Sequence, residues 1–75
     1  MPRFAVDPET VRVRIRQLRL EQGLTQDEVA ARSGINEKHY QDLETGRKAF
    51  NPTLETLNAL ALTFEVELAV LLKSE

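Results

Sequence analysis

Single glycines at positions 23, 34 and 46 cut this chain into short segments, and that punctuation constrains its fold more than any other feature of the 75 residues. With Asp7-Pro8 near the start and Asn51-Pro52 further on, the breaks leave stretches of about ten to fifteen residues, a length that suits helices joined by tight turns. Asp7 has the side chain of an N-cap, and Pro8 has the fixed φ of a first helical residue. Val11, Ile15 and Leu18 then recur at helical spacing, so helix one spans roughly 8–22. Thr25-Gln26-Asp27-Glu28 fits a capping box, followed by the inward Val29 and Ala30 and stopped by Gly34. Asn36 caps a third helix that Gly46 ends. At 100° per residue this helix gathers Tyr40 and Leu43 on one side and Glu37, Lys38, Gln41, Asp42 and Thr45 on the other. Leu54, Leu57, Leu60 and Ala61 mark a fourth helix after Pro52, ending near Phe64, and Val66, Leu68, Leu71 and Leu72 mark a short fifth. No stretch alternates in the manner of a strand. The chain reads as all-α with five helices.

Composition narrows the function classes. A 75-residue chain with 41% hydrophobic residues has room for one domain and none for a two-domain enzyme. A domain of this size buries only about 60% of the surface its unfolded chain exposes, so a partner chain is expected to supplement the core. No apolar run approaches the roughly 20 residues of a membrane span, and MPRFAVDPET lacks the apolar stretch of a signal peptide, so a cytoplasmic protein without membrane contact is expected. The lack of cysteine excludes thiolate zinc sites, thiol nucleophiles and disulfides. His39, the single histidine, has no second histidine, cysteine or serine-centred motif near it, and the glycines stand alone at helix ends rather than in a phosphate-binding loop. The chain is therefore expected to be no enzyme and to need no metal or cofactor. Its net charge of −2 gives no general support for nucleic-acid binding, but the charge is polarised. Residues 1–24 hold five arginines against three acids, and residues 51–75 hold one lysine against four.

Two short helices joined through a glycine, the first with a capping box and the second with a polar outer face, form a helix-turn-helix pattern. The stretch IRQLRLEQGLTQDEVAARSGINEKHYQDLETGRKAFNPTLETLNALALTFEVELAVLL resembles the Xre/Cro type of lambda-repressor-like domain. The motifs that carry the resemblance are GLTQDEVA, Gly34-Ile35, Leu43-Glu44 before Gly46, and NPTLETL. Residues 1–10 are then an N-terminal arm with the start of helix one, and residues 11–75 are the helix-turn-helix domain. The resemblance implies a five-helix fold whose third helix enters the major groove of double-stranded DNA, as a homodimer on a two-fold operator. It implies DNA contacts from Gln26, Asn36, Glu37, Lys38, His39, Gln41, Asp42, Thr45, Arg47 and Lys48. Gln26 would touch the DNA backbone where helix N–H groups suit a phosphate. Glu37, Lys38 and Asp42 sit at base-reading positions, and Arg47 and Lys48 face phosphates. The resemblance also implies a structural ion pair between Arg19 and Glu44.

Several residues depart from the family pattern. Two of the three principal readers, Glu37 and Asp42, are carboxylates. A carboxylate can accept from the cytosine amino group, yet it approaches the phosphates at an electrostatic cost, which makes Lys38 the best guanine reader. Arg12 and Arg16 share a side with Arg19, within reach of DNA in one reading, and are expected instead to form a solvated flank. Val13 and Leu20 are apolar on the outer side of helix one, where Phe4 and Val6 of the arm are placed to cover them. Ala69 and Val70 are apolar on helix five, which makes Val66 and Val70 the expected dimer contact. The segment AFN lengthens the loop before Pro52. The leading expectation is a dimeric repressor. The alternative is a protein-interaction module of the same fold, antitoxin-like or an accessory subunit, with little specific DNA binding. A weaker reading has an activator touching polymerase through acidic helices four and five.

Overall fold

The computed structural model describes residues 7–46 and 51–73, which form five helices. They are α1 (Pro8–Glu21), α2 (Gln26–Ser33), α3 (Glu37–Thr45), α4 (Leu54–Phe64) and α5 (Leu68–Leu72). Phe4, Val6, Arg47 and Lys48 lie outside the described residues.

Each of the first four helices begins on a side-chain cap. Asp7 accepts from the Glu9 amide, Thr25 from Glu28, Asn36 from His39 and Thr53 from Thr56. The capping box of α2 is complete, since Thr25 N also donates to Glu28 Oε1 at 2.8 Å. Such caps contribute about 1 kcal/mol each.

Three of the helices end alike. A residue with positive φ follows the last turn, and the hydrophobe after it folds back over the helix it has just left. The residue pairs are Gly23-Leu24, Gly34-Ile35 and Glu65-Val66. In each pair the hydrophobe's amide donates to a carbonyl one turn back, at 3.0 Å in all three, and its side chain packs against the core. Gly34 suits its place between α2 and α3 because φ +74 is a conformation that a side chain disfavours. Glu65 makes the same turn at φ 59 without that freedom.

Val11 and Ile15 of α1, Val29 and Ala30 of α2, Tyr40 of α3, Leu60, Ala61 and Phe64 of α4, and Leu71 of α5 form the core. Full burial of a large apolar side chain is worth about 1.5–3 kcal/mol, so packing outweighs any single cap. α2 lies against α3 and α4, while α1 lies against α3, α4 and α5. The outer face of α1 stays open, with Val13 51% and Leu20 53% exposed.

Candidate nucleic-acid interface

α3 is a two-sided helix. Tyr40, Leu43 and Glu44 are buried, whereas Glu37, Lys38, His39 and Thr45 are exposed and Gln41 and Asp42 half-buried. The polar side therefore faces outward from its first turn, where Asn36 Oδ1 accepts the His39 amide at 3.1 Å. Glu37 meets the Asp27 carboxyl from the start of α2. A hydrogen bond to Asp27, and then the like charge, push the Glu37 carboxyl above its usual range. The exposed face is thus mixed in charge, carrying both Glu37 and Lys38.

What holds this face in place is the one buried charged group among the described core residues, Glu44, at 2% exposure. Arg19 of α1 reaches it with a two-pronged contact, Nε to Oε2 at 2.8 Å and Nη2 to Oε1 at 2.7 Å. Its third nitrogen donates to Leu24 O at 2.9 Å, which ties the pair to the end of α1. The Tyr40 hydroxyl donates to Glu44 Oε2 at 2.5 Å, and Gln26 Nε2 donates to Oε1 at 3.0 Å. Arg16 Nε stands 3.9 Å from the same oxygen. Burial works to raise the Glu44 carboxyl, but hydrogen bonds from Arg19, Tyr40 and Gln26 outweigh it and hold the group below the usual carboxylate range. The bond to Glu44 in turn raises the Arg19 guanidinium. Burial, and then the Glu44 carboxylate, push the Tyr40 hydroxyl upward. Glu44 therefore joins α1, α2 and α3 in a network without an unsatisfied buried polar side-chain atom among the described residues.

Several residues make contacts that their sequence reading did not include. Gln26 is half-buried, and its amide turns toward Glu44 as part of that network; the same nitrogen keeps a second hydrogen for an outside acceptor. Arg12 is not a solvated flank. Its side chain is 19% exposed and its Nη1 donates to the Glu44 backbone carbonyl at 2.9 Å, while Arg16 at 59% exposure does lie at the surface. Val66 is half-buried and packs on the core as the closing hydrophobe of α4, so α5 turns out only Ala69, exposed, and Val70, half-buried.

Sequence reasoning missed a shared pattern in the helix ends. α3, α4 and α5 have no basic residue in their last turns. α1 and its C-cap supply the missing donors: Arg12 to Glu44 O, Gln22 Nε2 to Phe64 O at 2.9 Å, and Arg14 to Val70 O at 3.1 Å and Lys73 O at 3.3 Å. The surplus of arginine in residues 8–22 beside three helices whose last turns carry no cation was the available signal.

Among the described residues no group of three or more histidine, cysteine or acidic side chains is placed to hold a metal ion. Among the same residues no helix is long and apolar enough to cross a membrane.

A capped helix of eight residues, a glycine turn and a second helix with an exposed polar face, braced from α1, define a helix-turn-helix domain. A helix-turn-helix family profile matches residues 15–71, and the chain belongs to that family. The uncharacterized HTH-type transcriptional regulator y4dJ of Sinorhizobium fredii is 53% identical over 45 residues, covering 60% of this chain and 56% of its own. The crystal structure of the restriction-modification controller protein C.AhdI from Aeromonas hydrophila superposes with a TM-score of 0.78 at 29% identity, over 87% of this chain and 96% of that one. The structure of SinR, a master regulator for biofilm formation, in complex with DNA has a TM-score of 0.77 at 25% identity, over 84% and 98% of the two chains; SinR is a Bacillus subtilis protein. The chain spans about half the length of the curated relatives it matches.

Proposed function

We propose that this chain is a sequence-specific DNA-binding regulator of transcription, acting in the cytoplasm as a dimeric repressor. The observation that carries the reading is the outward polar face of α3, with Glu37, Lys38, His39 and Thr45 exposed on a helix locked from behind through Glu44. A helix of this width fits the major groove, and rigid placement is what base reading requires. The solved complex of SinR with DNA shows that a domain of this fold takes such a ligand. Lys38 is the guanine reader, and Glu37 and Asp42 favour cytosine. Gln26, Asn36, His39, Gln41 and Thr45 line the approach to the groove and its phosphates, and Arg47 and Lys48 neutralise phosphates. Two protomers joined through α5 at Ala69 and Val70, with the exposed part of Val66 at the rim, would set two α3 helices about 34 Å apart.

A second reading has one observation in its favour. The carboxyl groups of Glu37 and Asp27 meet on the face that would approach phosphates, and an acidic face suits a basic protein partner. Selection from a random duplex pool at low salt, with sequencing of what is retained and repetition with Lys38→Ala, separates the two. A palindromic consensus that the substitution alters supports the dimeric DNA reader. Recovery of unselected sequence alone refutes it and favours the protein-interaction module.

A further inference from the structure

α3 closes without a cation of its own. Its last turn carries no basic side chain, and Gly46 leaves it in the left-handed region at φ 73. The cation that favours a helix C-terminus comes from α1 instead. Arg12 donates Nη1 to the Glu44 carbonyl at 2.9 Å, and its guanidinium lies so close to Gly46 that an added Cβ would stand 3.1 Å from Nε and 3.4 Å from Cζ. Glu9, one turn earlier on α1, holds the remaining edge. Arg12 Nε donates to Glu9 Oε1 at 3.4 Å, and Nη2 pairs with Oε2. The Arg12 donors are thereby directed inward and along α1.

Glu44 is consequently gripped at two points by one helix. Arg19 holds its carboxylate and Arg12 its backbone carbonyl. A side-chain grip alone leaves the last turn free to slide or rotate by the play in the χ angles of glutamate. A second grip on the main chain removes that play, and Asp42 and Thr45 belong to this turn. We propose that Arg12 is a positioning residue for base reading, one that fixes the C-terminal turn of α3 through the Glu44 carbonyl and Gly46 without itself touching DNA. The inference rests on the DNA-binding reading above.

The test compares the wild-type chain with Arg12→Gln, Arg12→Lys, Glu9→Gln and Leu57→Ala, the last a truncation of a half-buried α4 side chain that packs against the core, chosen to lower stability without changing Arg12 or Glu9. Affinity for the duplex selected by wild type and for an unrelated duplex is measured by fluorescence anisotropy across a salt series, at a folded fraction set by circular dichroism. Arg12→Gln is expected to weaken the selected duplex about tenfold, within the range of one good base contact, and the unrelated duplex much less, leaving the salt slope unchanged. Arg12→Lys should recover part of the loss, and Glu9→Gln should show a smaller loss of the same kind. Leu57→Ala should keep the wild-type discrimination.

Three results would overturn the inference: unchanged affinity in Arg12→Gln, discrimination lost equally in Leu57→Ala, or equal weakening on both duplexes with a salt slope smaller by about 0.9 per protomer. The last would make Arg12 a phosphate contact. Wild-type protein that does not distinguish the duplexes defeats the DNA reading itself. Hydrogen exchange at the Gly46 amide, which donates to Asp42 O at 3.0 Å, then decides the bracing separately. Faster exchange in Arg12→Gln supports it and an unchanged rate refutes it.

Discussion

Arg19 and Glu44 meet through two hydrogen bonds of 2.8 and 2.7 Å, one to each carboxylate oxygen, and the glutamate is 2% exposed. A buried carboxylate that loses its cation keeps the cost of leaving water and loses the compensation. Arg19→Ala should therefore destabilise the domain by about 3 kcal/mol. Tyr40→Phe removes one neutral donor and leaves the arginine in place, so it should cost less, about 1–2 kcal/mol. Chemical denaturation of both variants checks the order, and a Tyr40→Phe loss equal to or above that of Arg19→Ala would contradict the ranking.

Two carboxyl groups make opposite contributions to the pH dependence of stability. Glu44 is held below the usual carboxylate range, so its contribution is complete above the unfolded pKa and is lost as pH falls through the lower folded value. Glu37 is raised, so the folded state gains from its protonation, and that advantage is lost as pH rises through the folded value. Glu37→Gln is accordingly expected to be more stable than wild type at pH 7. The difference should shrink on acidification. Urea denaturation at a series of pH values between 3 and 7 reads both effects, and a gap that widens toward low pH would contradict the assignment.

Gly34 and Gly46 have nearly the same backbone, with φ +74 and +73, yet differ in what surrounds them. A Cβ at Gly34 meets nothing within 4 Å, whereas at Gly46 it meets Arg12. Alanine at either position adopts a disfavoured conformation at a cost of about 1 kcal/mol. Gly46→Ala adds the displacement of a guanidinium tied to Glu44 and Glu9, so it should be the more damaging of the two. Thermal unfolding of the pair gives the comparison.

The proposed readers separate by the kind of loss they cause. Lys38→Ala should change which sequences are retained from a random pool. Lys48→Ala should weaken all duplexes alike and flatten the salt dependence. If Arg47 and Lys48 are the only phosphate-neutralising side chains, a dimer makes about four such contacts, with a salt slope near −3.6 and a loss of about a hundredfold between 50 and 200 mM salt. Identical effects of the two substitutions would remove the distinction between reader and phosphate contact.

The helices were legible because their signals are local. Asp7-Pro8, the Thr25–Glu28 box, Asn36 and the stops at Gly34 and Gly46 each act on their own turn, and the structure places α1 to α5 within a residue or two of the expected bounds. The Arg19–Glu44 contact was legible only through resemblance, since 25 residues separate the partners. Arg12, Arg14 and Gln22 were not legible as caps because their acceptors are main-chain carbonyls, which no side-chain identity marks. The closing role of Val66 was hidden by Glu65, a residue that does not advertise a left-handed turn as glycine does at 23 and 34.

That α1 and its C-cap finish three other helices has a consequence for any attempt to transplant the reading helix. A graft of residues 25–45 into another scaffold would carry its caps at the front and arrive without its fastenings at the rear. Glu44 would enter the new host as an unmatched negative charge. The portable unit is the α1–α3 segment, and a chimera that exchanges α1 between relatives must exchange the carbonyl ends it serves along with it.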